Sequence, residues 1–198
     1  MAALSPMPGL LLTPGASATR DHSALVAIDK AMTAERFEVE RIDLPGSRIE
    51  RAVAVVKEAA AALGERVDGV YLGGRSYGGR ACSMAVADGF PAAGLVLISY
   101  PLHPPGRPDN MRTDHFPALA VPCLFVSGTK DQFGTPAELE AATTAIPGAV
   151  THVWIEGGNH GLGRKDAAVV EAVRAWLLGL RDSDPPTPRG PSRGTPAG

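Results

Sequence analysis

The stretch Val70-Tyr71-Leu72-Gly73-Gly74-Arg75-Ser76-Tyr77-Gly78-Gly79-Arg80 sets a serine between glycines directly after an apolar run. Residues 69–72 read as a short buried strand. The small-chained segment from Gly79 to Asp88 reads as a helix, with Gly89 as its stop. Between them, Gly74-Arg75-Ser76-Tyr77-Gly78 fits Gly-x-Ser-x-Gly, the elbow at which a strand turns sharply into a helix and presents a serine hydroxyl above the sheet. A Cβ at Gly74 or Gly78 would crowd so tight a turn. The rival is a phosphate-binding turn, which needs Gly-x-Gly-x-x-Gly and an acidic residue about 20 positions on. Gly73, Gly74, Gly78 and Gly79 do not have that spacing.

A serine hydroxyl is a weak nucleophile near neutral pH and needs a base and a group that orients the base. Leu124 to Ser127 reads as a strand that runs through a polar turn to Asp131, and Val153 to Ile155 as a strand that runs into a loop ending in His160. Ser76, Asp131 and His160 thus each follow a strand, and ligands of parallel sheets bind outside the carboxyl ends of the strands. The bland alternatives are that Asp131 only caps or turns the chain before Gly134-Thr135-Pro136, and that His160 is a surface-loop histidine. His22, His103, His115 and His152 do not follow a last strand in a Gly-Gly-Asn-His-Gly loop.

The remaining chain alternates helix and strand, which predicts an α/β fold: a mostly parallel sheet of about six strands with helices on both faces. A first strand covers Gly9 to Thr13. Helices are expected at residues 23–34, from a Ser47/Glu50 capping box to a stop at Gly64, and at about 165–180; strands are expected at 37–42, 93–99, 121–127 and 150–156. Arg36, Arg41, Arg48 and Arg51 read as the wet faces of an α-β-α segment. Trp176 reads as core. From Arg181 to Gly198 the chain is rich in proline and glycine and poor in apolar residues, so a folded domain over 1–180 and a disordered tail over 181–198 are expected.

With 198 residues, 44 % of them hydrophobic, the chain can bury a substantial core, and a net charge of −2 gives no electrostatic case for nucleic acid or an anionic membrane. Cys82 and Cys123 are not spaced as a metal or redox pair and read as small apolar residues. The apolar run at Leu10 to Leu12 is too short for a signal peptide and lacks a preceding basic residue. A cytoplasmic setting is expected, and the sequence leaves the oligomeric state open.

The chain resembles the α/β-hydrolases. More narrowly it resembles a small dienelactone-hydrolase-like family related to a subunit of the NSL histone acetyltransferase complex and to a testis-expressed protein. The resemblance covers about residues 9–180. It is carried by Thr13-Pro14-Gly15-Ala16-Ser17 with Asp21-His22, by residues 73–80, by Ser99-Tyr100-Pro101-Leu102-His103-Pro104-Pro105-Gly106, by residues 125–134, and by Asn159-His160-Gly161. It implies Ser76 as nucleophile, Asp131 as orienting acid and His160 as base. Dienelactone hydrolases differ at the key atom, using cysteine where this chain has Ser76.

Acyl transfer also needs donors for the oxyanion. The candidates are the backbone N–H groups of Tyr77, after the nucleophile, and of Ala16, in the loop after the first strand. The family's usual His-Gly start of that loop is Pro14-Gly15 here, and an ordinary Pro-Gly turn is the alternative. Arg75 and His103 are the candidates for binding substrate, with a salt bridge the other reading of Arg75. The short connection from Tyr100 to Pro122 leaves little room for a lid, which favours a small ester, thioester or lactone as the acyl substrate. No metal or organic cofactor is needed. Two competing functions remain at this level: a non-catalytic binding or scaffolding module, and an acyltransferase.

Overall fold

The computed structural model describes residues 7–46 and 48–183. Six strands, β1 (Gly9–Thr13), β2 (Glu38–Arg41), β3 (Val70–Arg75), β4 (Gly94–Ile98), β5 (Cys123–Gly128) and β6 (Val150–Ile155), form one sheet in the order β2-β1-β3-β4-β5-β6. Every neighbouring pair is parallel. The helices are α1 (Ser23–Ala34), α2 (Ile49–Gly64), α3 (Tyr77–Ala87), α4 (Pro136–Thr143) and α5 (Asp166–Ser183), with a short 3-10 turn at Phe116–Ala118.

Alternate strand residues feed two cores, as the period of two requires. Leu11, Leu72, Leu95, Leu97 and Phe125 pack with α2 and α3 on one face. Leu10, Leu12, Val96, Ile98, Leu124 and Val126 pack with α1 and α5 on the other. Both faces are covered, which is why the central strands read as continuous apolar runs. On α5, Val169, Val173 and Leu177 recur every four residues and are fully buried, each worth about 1.5–3 kcal/mol of transfer free energy.

Three expectations change. Helix α2 begins after Arg48, which makes no side-chain cap bond, and Ser47, the expected cap, lies outside the described residues. Gly64 is the last residue of that helix and not a residue beyond it. Helix α5 runs past residue 180 to Ser183, where Arg181 Nη1 donates to the Glu35 carbonyl at 3.0 Å; the rest of the expected tail lies outside the described residues. Among the described residues no helix is long and apolar enough to cross a membrane.

The strand order reverses at β1, which lies between β2 and β3. The loops after β1 and β3 therefore diverge at one point, opening a crevice at the carboxyl edge of the sheet.

Candidate active site

Ser76 stands at that crevice, between the last residue of β3 and the first of α3. Its backbone has φ 50° and ψ −114°, a conformation that L-residues rarely adopt. Its N–H donates to the Ile98 carbonyl at 2.8 Å, which ties the bend to the end of β4. The glycines around it have steric reasons. A Cβ on Gly74 would run into the backbone of Gly78 and Gly79, and one on Gly78 would lie 2.5 Å from the Pro14 carbonyl oxygen. Thr13 Oγ1 donates to the Gly73 carbonyl at 3.1 Å, fastening β1 to the same turn.

The loops after β5 and β6 are laced together. Lys130 N–H donates to the Gly158 carbonyl at 2.8 Å, Thr129 N–H to the Ile155 carbonyl at 3.1 Å, and Gly157 N–H to Thr129 Oγ1 at 2.9 Å. This lacing sets His160 beside Asp131 and above Ser76. His160 Nε2 lies 2.8 Å from Ser76 Oγ, and His160 Nδ1 lies 2.9 and 3.0 Å from the two carboxylate oxygens of Asp131. Asp131 is buried and also accepts from the Phe133 N–H at 2.9 Å. An imidazole with its proton on Nδ1 would donate to this carboxylate and leave Nε2 to accept from the Ser76 hydroxyl.

Two residues hold the imidazole: Phe133, whose role the sequence left unread, and Arg75, expected to bind substrate or to form a salt bridge. The Phe133 ring stacks on the imidazole with centroids 3.9 Å apart. Arg75 Nη2 donates to the His160 carbonyl at 3.0 Å. The Arg75 guanidinium is half-buried; desolvation lowers its pKa, against the opposing pull of Asp131 and Asp166.

Ala16, Arg75, Ser76, Tyr77, Arg80, Pro101, Arg112, Phe133 and His160 line a cavity of about 350 Å³, near the lower end of the roughly 300–1,000 Å³ usual for small-molecule sites. Ala16 and Tyr77, the expected oxyanion donors, flank Ser76 in this wall. The Tyr77 N–H belongs to the first turn of α3, whose N–H groups have no intrahelical acceptor. Gly15 lets the β1 loop close down here, since a Cβ would lie 2.9 Å from Arg75 Nη1.

His103 is not in that wall. It is buried behind it, with Nδ1 2.8 Å from the Pro104 carbonyl and its N–H donating to the Phe133 carbonyl at 3.1 Å, and its Nε2 lies 3.6 Å from Glu138. His103 therefore sits under the Phe133 loop, apart from the wall on which Ala16, Arg75, Ser76, Tyr77 and His160 gather. Among the described residues no group of three or more His, Cys, Asp or Glu side chains is placed to hold a metal ion.

The sequence profile of the alpha/beta hydrolase domain family matches residues 6–176. The chain belongs to the alpha/beta hydrolase domain family. Solved structures share the fold. Est1E from Butyrivibrio proteoclasticus superposes with a TM-score of 0.76 at 17 % identity, over 90 % of each chain. Dienelactone hydrolase from Anabaena variabilis gives 0.72 at 17 % identity, over 88 % of this chain and 87 % of its own. An alpha-beta serine hydrolase homologue from Coxiella burnetii gives 0.66 at 18 % identity, over 86 % and 85 %.

Proposed function

We propose that this alpha/beta hydrolase is a serine hydrolase that cleaves a small ester, thioester or lactone through an acyl-enzyme on Ser76. One observation carries the reading: a serine in a strained turn, on the floor of a cavity, has its Oγ 2.8 Å from an imidazole nitrogen whose partner nitrogen is held by a buried carboxylate.

Ser76 Oγ attacks the acyl carbonyl carbon as its proton passes to His160 Nε2. The Ala16 and Tyr77 N–H groups meet the oxyanion, a contribution of about 10²–10³ in rate per donor. As the tetrahedral intermediate collapses, the bond to the leaving group breaks and His160 returns the proton to it. Water then adds to the acyl-enzyme, giving its proton to His160, and the carboxylic acid leaves as Ser76 recovers its hydrogen. Throughout, Asp131 holds the Nδ1–H tautomer and stabilises the transient imidazolium. A scaffolding module has no use for a serine kept at positive φ against a buried His–Asp pair, so catalysis accounts for the strain where a binding role does not. The narrower likeness to the NSL-related proteins rests on the sequence motifs alone. The unpaired, buried Cys82 and Cys123 fit a reducing, cytoplasmic setting.

Turnover of short-chain aryl esters tests the proposal. A burst of phenol followed by a slower steady rate is expected. Ser76→Ala, His160→Ala and the double variant should lose activity by similar, non-additive factors. A double variant much worse than either single one would overturn the assignment.

A further inference from the structure

Among the described residues, three arginines and no acidic residue line the cavity beside Ser76. Arg75 is occupied, bonded to the His160 carbonyl and faced by Asp131 and Asp166. Arg80 and Arg112 are not: among the described residues neither has a carboxylate within ion-pairing distance. Arg80 Nε is buried and has no hydrogen-bond partner among the described residues, a condition that folded proteins avoid for a charged donor.

The pair is also held in place. Arg80 lies one helical turn beyond Ser76, and its carbonyl accepts from Ser83 Oγ at 2.9 Å. His115 Nε2 lies 2.8 Å from the same hydroxyl, which ties the loop that carries Arg112 to α3. Arg112 N–H donates to the Leu102 carbonyl at 2.9 Å, and the Tyr100 hydroxyl donates to the Arg112 carbonyl at 2.7 Å. The two cations act on each other and on their neighbour. Burial and then Arg80 lower the pKa of Arg112, and the same two causes push His115 down to about 4. An anion seated here would offset that mutual repulsion.

We propose that Arg80 and Arg112 form a carboxylate-binding subsite of the Ser76 cavity, so that the substrate is a short ester or thioester carrying a carboxylate at one end. The planar forks of two arginines match a carboxylate, and the small cavity leaves room for little more than a short chain between it and the scissile bond. The substrate class rests on the hydrolase reading; the anion subsite does not.

The test compares kcat/KM within two matched pairs: monomethyl adipate against methyl hexanoate, with the charge on the acyl side, and para-acetoxybenzoate against para-tolyl acetate, with the charge on the leaving group. In one pair the anionic member should be preferred by about tenfold or more, the weight of one charge-assisted hydrogen bond. That preference should fall toward unity in Arg80→Gln and in Arg112→Gln, and survive in part in Arg112→Lys. Arg112 stands on a loop, so its variants keep the test decisive if the Arg80 variant does not fold. Calorimetric binding of adipate to the full-length Ser76→Ala protein, weakened by either glutamine substitution, reads the subsite without turnover. Fluorophosphonate labelling of Ser76 reads the nucleophile separately. A labelled serine with no preference in either pair, or with a preference that both glutamine variants keep, overturns the subsite. Arginine-dependent adipate binding with neither labelling nor turnover supports the subsite and overturns the hydrolase reading.

Discussion

Replacing Ser76 with glycine should leave the protein more stable than replacing it with alanine. Ser76 holds φ 50° and ψ −114°, and a side chain kept in so sparsely populated a conformation stores about 1–3 kcal/mol. Both substitutions delete the same hydroxyl and the same 2.8 Å contact with His160 Nε2, so those losses cancel in the comparison. Alanine keeps the Cβ and the strain; glycine releases it but adds about 0.4–1 kcal/mol of unfolded-chain entropy. The difference is roughly 1 kcal/mol in favour of glycine, about 2–4 °C in Tm for a domain of this size. Calorimetry on the two variants, checked by urea unfolding, reads it directly. An alanine variant as stable as the glycine variant, or more stable, would refute the claim that the fold stores strain at this serine.

Asp131→Asn keeps the shape of the side chain but offers an amide N–H where His160 Nδ1 needs an acceptor, so kcat toward a short ester should fall by about 10⁴, with folding checked by circular dichroism. Gly128→Ala drives a Cβ into the backbone of Gly158, which joins the loops carrying Asp131 and His160; melting curves should show a loss of about 1–3 kcal/mol or more, with a matching drop in kcat. His115, pushed from 6.5 down to about 4 by burial and by Arg80, stays neutral in the fold while the unfolded chain takes up a proton. Its share of stability is therefore present above about pH 6.5, is lost as pH falls through that window, and is gone below about pH 4. His115→Gln should show a shallower decline in Tm between those limits than the wild type.

The scaffold was legible because its signals are local. Helix α1 occupies the stretch read for it, and the strand ends lie within three residues of those read, since continuous apolar runs between turn residues mark strands buried on both faces. Ser76, Asp131 and His160 could be nominated together because each follows a strand and a parallel sheet gathers such loops at one edge. The far side of the cavity, where Pro101, Arg112 and Phe133 stand, was not legible. Arg112 and His103 both lie in the irregular connection between β4 and β5, which has no periodicity to say which side chain faces in; only the packing of that loop, through Tyr100 and Phe116, turns Arg112 toward Ser76 and His103 away. Arg75 could be read as a substrate ligand or as a salt-bridge or helix-surface cation, and its bond to the His160 carbonyl needs a loop 85 residues further along the chain.

Labelling the protein with a fluorophosphonate, followed by peptide mapping, decides whether Ser76 is an activated nucleophile. A single adduct on Ser76 is expected, lost in Ser76→Ala and strongly slowed in His160→Ala. A folded protein that takes no adduct at Ser76, or takes it equally fast without His160, would contradict that expectation.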